Sequence, residues 1–514
     1  MENLRQIVLI LDFGSQYTQL IARRVREHHV FSRIVPHSIS SEEVVETGPA
    51  ALILSGGPSS VNSDEAPAFD SGIFDLDMPV LGICYGLQLM VSHFGGRVHS
   101  DGHGEYGLAR IRRSNGSKLL EGVDRETQVW MSHGDRVESL PDGWMISAQS
   151  MGDVVAAVEH ASRPLFGTQF HPEVVHTREG KKMLENFLFS ISGCRGDWTP
   201  GSFIDETRER VRKKVGNETV ICGVSGGVDS SVVAKLLFTA IEDQLKAVVV
   251  DHGLLRQGEG ERIRKTLEAG LHLPVRYADH SRRFLDRLKG VTDPERKRAI
   301  IGEQFIRSFE EIGRSFGSVS FLAQGTLYPD VIESGGTSGS ADVIKTHHNV
   351  GGLPEGMAFE LIEPLRELFK DEVREVGKTL GIPSTILGRH PFPGPGLAVR
   401  IIGEVTPRRV GMLRKADDLL IRTLKEKGIY DDIWQAFCVL IPVRTVGVMG
   451  DHRSYGNLIA IRAVTSVDGM TADWYRMDPH ILNEISTEIV NRVTGVNRVV
   501  YDVSSKPPST IEWE

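Results

Sequence analysis

The segment Val224-Ser225-Gly226-Gly227-Val228-Asp229-Ser230-Ser231 sits between two apolar runs, Val220-Ile221-Cys222 before it and residues 232–237 after it. The first run is short and β-branched, as in a buried strand, and the second reads as a helix. A strand that enters a helix through adjacent glycines suits a phosphate. The glycines allow a tight turn and close backbone approach, and the freed N–H groups and the helix N-terminus attract an anion. The Gly-Lys-Ser/Thr ending of a Walker loop is missing, and Asp229 stands near where its lysine would be. Such a loop offers a backbone cradle without the point charge that reaches a terminal phosphate. The plain alternative, a serine-rich turn that only caps a helix, fits an eight-residue match in this setting poorly.

Ser-Gly-Gly-Val-Asp-Ser-Ser resembles the pyrophosphate-binding loop of the N-type ATP pyrophosphatases, which split ATP into AMP and pyrophosphate. The resemblance implies that Ser225, Gly226, Gly227, Val228, Asp229, Ser230 and Ser231 hold the phosphates of ATP.

Upstream, Ile7 to Leu11, Ala51 to Leu54 and Pro79 to Ile83 read as buried strands, with a helix from about Gln16 to Glu27. Strands alternating with helices predict a parallel α/β sheet, whose function gathers at the strand carboxyl ends. Cys84 lies at such an end, in Gly82-Ile83-Cys84-Tyr85-Gly86. Gly-x-nucleophile-x-Gly is a sharp strand-to-helix turn that exposes the central side chain. A lone cysteine is more often a small buried hydrophobe, but the elbow spacing reverses that preference, and the helix N-terminus favours a thiolate. A cysteine nucleophile needs a base and an orienting acid. Thr168-Gln169-Phe170-His171-Pro172-Glu173 supplies both, and if the strand continues, His171 and Glu173 share a face. His93, His99, His103, His133 and His160 are other candidate bases, His133 the strongest of them.

Gly-x-Cys-x-Gly followed by His-Pro-Glu resembles the class I glutamine amidotransferases. The resemblance implies attack of Cys84 on the glutamine amide, proton transfer by His171, and Glu173 holding the imidazole. It also implies an oxyanion hole from the backbones of Gly57, in Ser55-Gly56-Gly57-Pro58, and Tyr85. Gln88 and residues 132–135 match positions that hold glutamine.

The turn-rich stretch 192–201 reads as a linker. A second parallel-sheet unit follows, with strands at 246–251 and 275–279, a long helix at 294–316, and a strand with a small-residue turn at 321–326. Residues 333–340 read as a low-complexity loop beside the site. The Pro/Gly stretch 388–397 marks a further boundary, beyond which an α+β pattern has helices at 407–427 and 479–493 and strands at 437–441, 459–464 and 498–503. The predicted organisation is two parallel-sheet α/β domains, 1–195 (class I amidotransferase) and 196–389 (adenine nucleotide α-hydrolase-like ATP pyrophosphatase), followed by a C-terminal α+β dimerisation domain, 390–514.

The triad pattern, the pyrophosphatase loop, Lys345-Thr346-His347-His348-Asn349-Val350-Gly351-Gly352-Leu353-Pro354, Val446-Gly447-Val448-Met449-Gly450-Asp451 and the segment 506–514 together resemble the glutamine-hydrolysing GMP synthases over essentially the whole chain. That resemblance implies an ATP- and magnesium-dependent ligase that adenylates the C2 oxygen of xanthosine monophosphate and lets ammonia from glutamine displace AMP. It implies that Arg256, Lys506 and Glu512 contact the xanthylate, with Gln435 and Ile511 nearby, that Lys345 contacts phosphate, and that Asp229 holds Mg2+. It further implies a homodimer through the last domain. His252 and Ser509 stand where many relatives of this type are expected to carry asparagine and alanine.

A formal net charge of −9 argues against a basic nucleic-acid-binding face. Four scattered cysteines without CxxC spacing fit a reducing compartment, and no stretch approaches membrane-spanning length. The expected location is cytoplasmic, with no nucleic-acid or membrane partner. Two rival readings remain: an NAD synthetase-like amidotransferase, which shares the loop but not the 506–514 ending, and a nucleotide sensor with a degenerate triad, which intact Cys84, His171 and Glu173 oppose.

Overall fold

A computed structural model of the chain describes residues 5–100, 104–334, 359–449, 452–466 and 471–514. Lys345 with its motif 345–354, His103, and residues 335–340 of the predicted loop lie outside the described residues. The chain divides into two compact units that meet in sequence at Ser202 and Phe203.

The first unit is built on a nine-stranded sheet. Five strands are parallel, in the order Phe31–Pro36, Ile7–Asp12, Ala51–Leu54, Val80–Ile83 and Leu165–Thr168. Their central members are continuous apolar runs: Val8 to Leu11 and Ala51 to Leu54 are fully buried, as befits strands covered on both faces. The other four, Val155–His160, Trp144–Ser150, Glu105–Arg113 and Glu126–His133, continue the sheet antiparallel. This half shows the alternating burial of a sheet with one wet face, clearest along Glu126–His133. Pairing of Gly82 with Gly167 and Ile83 with Thr168 brings two strand ends together. Cys84 follows one of them directly, and His171 follows the other after a short bend.

The second unit begins with a five-stranded parallel sheet, in the order Val275–Asp279, Leu245–Asp251, Val220–Gly223, Phe321–Ala323 and Glu360–Ile362. The earliest strand in sequence, Val220–Gly223, is central, and later strands are added first on one side and then on the other. The chain direction switches there, and a crevice opens at the carboxyl ends of the strands at such a point. Residues 224–231 occupy that place. A second sheet pairs Gln435–Met449 with His452–Thr465, which Val496–Tyr501 joins in parallel. The predicted strands 437–441 and 459–464 are the inner parts of these longer ones. A register shift between Ile441 and Thr445 spans Pro442, which has no N–H for the ladder, so the sequence pattern breaks where the strand only bulges. Helices Pro407–Glu426 and Pro479–Arg492 cover this sheet. One hydrophobic core holds Ile221, Val248 and Leu322 of the first sheet together with Leu413, Leu420, Ile459 and Ile461. The Pro/Gly stretch 388–397 therefore lies inside a packed unit, where Gly396–Arg400 forms a short 3-10 turn.

Candidate active sites

Cys84 is the N-cap of helix Tyr85–His93, with φ 52° and ψ −102°. A non-glycine residue in such a conformation stores about 1–3 kcal/mol and persists only where its surroundings enforce it. Here they do. A Cβ on Gly86 would lie 2.5 Å from the Leu54 carbonyl oxygen, and one on Gly82 would lie 2.5 Å from the Gly86 carbonyl carbon. Only glycine fits at both positions, so the helix sits close against the strands. The Cys84 N–H donates to the Thr168 oxygen at 2.7 Å, which ties the elbow to the neighbouring strand.

That strand ends at Thr168. His171 and Glu173 are not aligned by strand alternation, as the sequence had suggested, because Gln169 and Phe170 bend the chain away and Pro172 lies in a turn. The turn itself holds the ring: the His171 N–H donates to Trp130 O at 3.0 Å, and Thr177 Oγ1 donates to His171 O at 2.6 Å. His171 Nδ1 lies 2.7 Å from Glu173 Oε1, with both side chains buried. The other face of the site approaches closely, since a Cβ on Gly56 would meet His171 Cε1 at 3.2 Å and Cys84 Cβ at 3.7 Å. Burial pulls the His171 pKa down, but the Glu173 carboxylate and Cys84 outweigh it and push it up to about 10. The cationic form of the imidazole is therefore favoured beside the Cys84 sulfur.

Of the rival bases, His133, His93 and His160 have partners of their own among the described residues. His133 Nδ1 bonds Asp135 O at 2.9 Å, and its Nε2 lies 3.5 Å from Glu105 Oε2. His93 packs against Phe74 and Phe94, and His160 Nδ1 accepts the N–H groups of Ser162 and Arg163. His99 ends a short, exposed edge strand. A cavity of about 480 Å³ opens over Cys84 and His171 and is lined by Gly57, Gln88, Ser132 and Asp135. No acceptor is found for the N–H of Gly57 or of Tyr85 among the described residues. Gln88 Nε2 donates to Asp135 O at 2.8 Å. Gln169 had no role in the sequence reading, yet its Nε2 lies 3.6 Å from Cys84 Sγ.

In the second unit, Gly226 has φ +72° and Gly227 is the N-cap of helix Val228–Ile241. The serines close the loop on itself: Ser225 N–H donates to Ser230 Oγ at 3.2 Å, and Ser230 Oγ donates to Gly227 O at 3.2 Å. Ser231 is fully buried. Asp229 is not alone, because Lys370 Nζ, at the start of helix Lys370–Thr379, lies 2.6 and 2.5 Å from its two oxygens. The cation missing from the loop comes from distant sequence. Arg389 donates to Gly226 O at 2.6 Å and pairs with Glu259. Nothing local marks either residue as part of the site.

The third cluster gathers Arg256, Gln435, Ile511 and Glu512. Arg256 is partly buried, with Nε 3.0 Å from Asp417 Oδ2 and its guanidinium 5.1 Å from the Phe392 ring centre. Glu512 receives Arg400 Nε at 3.0 Å, Arg400 Nη2 at 2.7 Å and Gln435 Nε2 at 2.8 Å. Ile511 packs with Phe437 and Val439. Lys506 is placed by backbone bonds with Ala472. Apart from that isolated bridge the segment 506–514 is not a strand. Side chains hold it: Arg462 donates to the carbonyls of Ser504, Thr510 and Ile511. The sequence reading missed Arg400 and Arg462, whose partners lie in distant parts of the chain.

The chain matches the class-I glutamine amidotransferase family over residues 9–191, the NAD synthase family over residues 202–269 and the GMP synthase C-terminal domain family over residues 422–513. A glutamine-hydrolysing GMP synthase of Symbiobacterium thermophilum is 53% identical and covers 100% of both chains. Those of Halothermothrix orenii, 54% identical over 99% of both chains, and Brachyspira hyodysenteriae, 52% identical over 100% of both, are equally similar. The chain belongs to the glutamine-hydrolysing GMP synthase family. GMP synthases of this kind are ATP-dependent amidotransferase ligases that make GMP from xanthosine monophosphate with glutamine, and the chain is one of them. The NAD synthase match is confined to the loop and its flanks, the part that the rival reading shares. No described helix is long and apolar enough to cross a membrane.

Proposed function

We propose that the two units divide the reaction between Cys84 and the 224–231 loop. Support comes above all from the buried His171–Glu173 pair set against a strained Cys84. Cys84 passes its thiol proton to His171, making the imidazolium, and the resulting Sγ thiolate attacks the glutamine amide carbon. The Gly57 and Tyr85 N–H groups, without another acceptor among the described residues, receive the oxyanion. The His171 imidazolium protonates the leaving ammonia, and a water activated by the same ring then releases glutamate from the thioester. Glu173 keeps the ring charged and oriented. Gln88 and residues 132–135 hold the substrate glutamine.

At the loop, the C2 oxygen of xanthosine monophosphate attacks the α-phosphorus of ATP and pyrophosphate leaves. Ammonia then adds at C2 and AMP departs with the oxygen. Ser225, Gly226, Gly227, Val228, Ser230 and Ser231 form the backbone and hydroxyl cradle for the leaving pyrophosphate. Mg2+ would be held by Asp229, where it neutralises phosphate charge. No group of three or more His, Cys, Asp or Glu among the described residues could cage a metal. One carboxylate beside a phosphate cradle fits magnesium that arrives with its nucleotide, because phosphates and waters complete its shell. Lys370 pairs with that carboxylate as well. Arg256, Gln435, Lys506, Ile511 and Glu512 form the xanthylate end, and Lys345 serves phosphate. Exposed Val446, Val448 and Tyr455 on the last sheet support a homodimer through the C-terminal domain. Free, buried Cys84, Cys194, Cys222 and Cys438 support a cytoplasmic location.

The test supplies ATP, magnesium, xanthosine monophosphate and ammonium to the Cys84→Ala protein and identifies the nucleotides. GMP, AMP and pyrophosphate should form, while glutamine in place of ammonium should give none. ADP and phosphate would reject the loop assignment, and loss of both activities would reject the division of labour.

A further inference from the structure

We propose that Lys297 is a positioning residue for the xanthylate end, a buried latch that fixes Glu512 from both sides. The inference rests on the reading that Glu512 contacts xanthylate.

Lys297 lies in the first turn of helix Pro294–Arg314 and its side chain is fully buried. An ammonium has three protons to place, and this one has three acceptors: Ile401 O at 2.8 Å, Ala398 O at 3.3 Å and the Glu514 carboxylate. Two of these lie within two residues of Arg400, on either side of it, and the third lies two residues beyond Glu512. Arg400, itself fully buried, grips Glu512 between them. The Lys297 ammonium thus ties down the support of the arginine and the chain that carries the carboxylate. Glu514 is fixed independently as well, since its other oxygen accepts Gly403 N–H at 3.1 Å and Arg298 donates to its main-chain oxygen.

A buried ion pair is a weak route to stability, because apolar side chains of similar volume often do as well. What this pair supplies is direction: charge-assisted bonds to three fixed acceptors hold the 398–401 turn and the 512–514 segment in one register. A contacting group must stay within about half an ångström of its productive position, and only a locked supporting shell gives that.

The test compares Lys297→Met, Glu514→Gln and Glu512→Gln in the full chain, with ammonium as nitrogen source and both KM values measured. Lys297→Met should raise KM for xanthosine monophosphate about tenfold or more, roughly the loss of one well-placed interaction. KM for ATP and the glutaminase activity should stay within about twofold. Glu514→Gln keeps an acceptor for Gly403 and is the milder variant; it should move the same constant in the same direction, and it carries the test if Lys297→Met does not fold. Glu512→Gln reports on the underlying reading. If it raises the xanthylate KM while neither latch variant does, the latch is wrong and the reading stands. If Glu512→Gln leaves that KM unchanged, the reading fails and the latch with it. A fall in kcat and soluble yield without a selective KM change would mean that Lys297 only holds the fold.

Discussion

Replacing Glu173 by glutamine tests the glutaminase chemistry at its most sensitive point. The amide keeps the shape and an oxygen for the Nδ1–H at 2.7 Å but removes the charge. His171 is raised from an ordinary 6.5 to about 10 against the pull of burial. At 1.36 kcal/mol per unit, that is on the order of 5 kcal/mol in favour of the imidazolium, shared between Glu173 and Cys84. If about half belongs to Glu173, its loss should slow glutamate release about 100-fold. The direction with pH follows. His171 must be protonated to release ammonia, so the alkaline limb of the glutaminase profile should move to lower pH in the variant. Stability moves consistently: a histidine raised in the folded state stabilises fully below its unfolded pKa of 6.5, and that stabilisation is lost as pH rises through about 10. The assay is glutamate release from pH 6 to 10.5, with ammonium-driven GMP formation in the same preparation as the control for folding. Glutamate release within threefold of the parent, with an unmoved alkaline limb, would refute the assignment of Glu173.

Other consequences are equally open to measurement. Gly86→Ala should lower stability by about 3 kcal/mol or more and abolish glutaminase activity, because the new Cβ would lie 2.5 Å from a backbone oxygen that cannot retreat; urea denaturation with unchanged midpoint would contradict this. Asp229→Asn, or magnesium removal by chelation, should stop GMP formation from ammonium yet leave glutamine hydrolysis within about twofold, as paired product assays would reveal. Burial holds the His252 pKa down at about 4, and its Nδ1 accepts the Leu254 N–H, so the folded state takes up its proton only below the unfolded value of 6.5. The stabilisation is present above pH 6.5 and is lost as pH falls through about 4, on the order of 3 kcal/mol. His252→Asn, which keeps an acceptor without a titrating ring, should flatten the decline of the urea midpoint between pH 7 and 4, and an unchanged slope would count against the buried neutral histidine.

What the sequence determined by itself was local. The elbow around Cys84 and the turn at Gly226-Gly227 depend on glycines within a few residues of one another, so spacing was enough to read them. The apolar runs likewise marked the buried parallel strands. The antiparallel half of the first sheet was not visible, because its half-buried strands alternate polar and apolar residues and carry no chemical motif. His171 and Glu173 were read correctly as a pair for a wrong geometric reason: a turn held by Trp130 and Thr177 aligns them, not a continuing strand. Tertiary structure alone decided which charges meet. Lys370 reaches Asp229, Arg389 reaches Gly226, and Arg400 and Lys297 reach Glu512 and Glu514 across long stretches of chain. A charged residue carries no local sign of its partner. Only burial, which makes an unpaired charge intolerable, selects the pairs, and burial is a property of the folded chain.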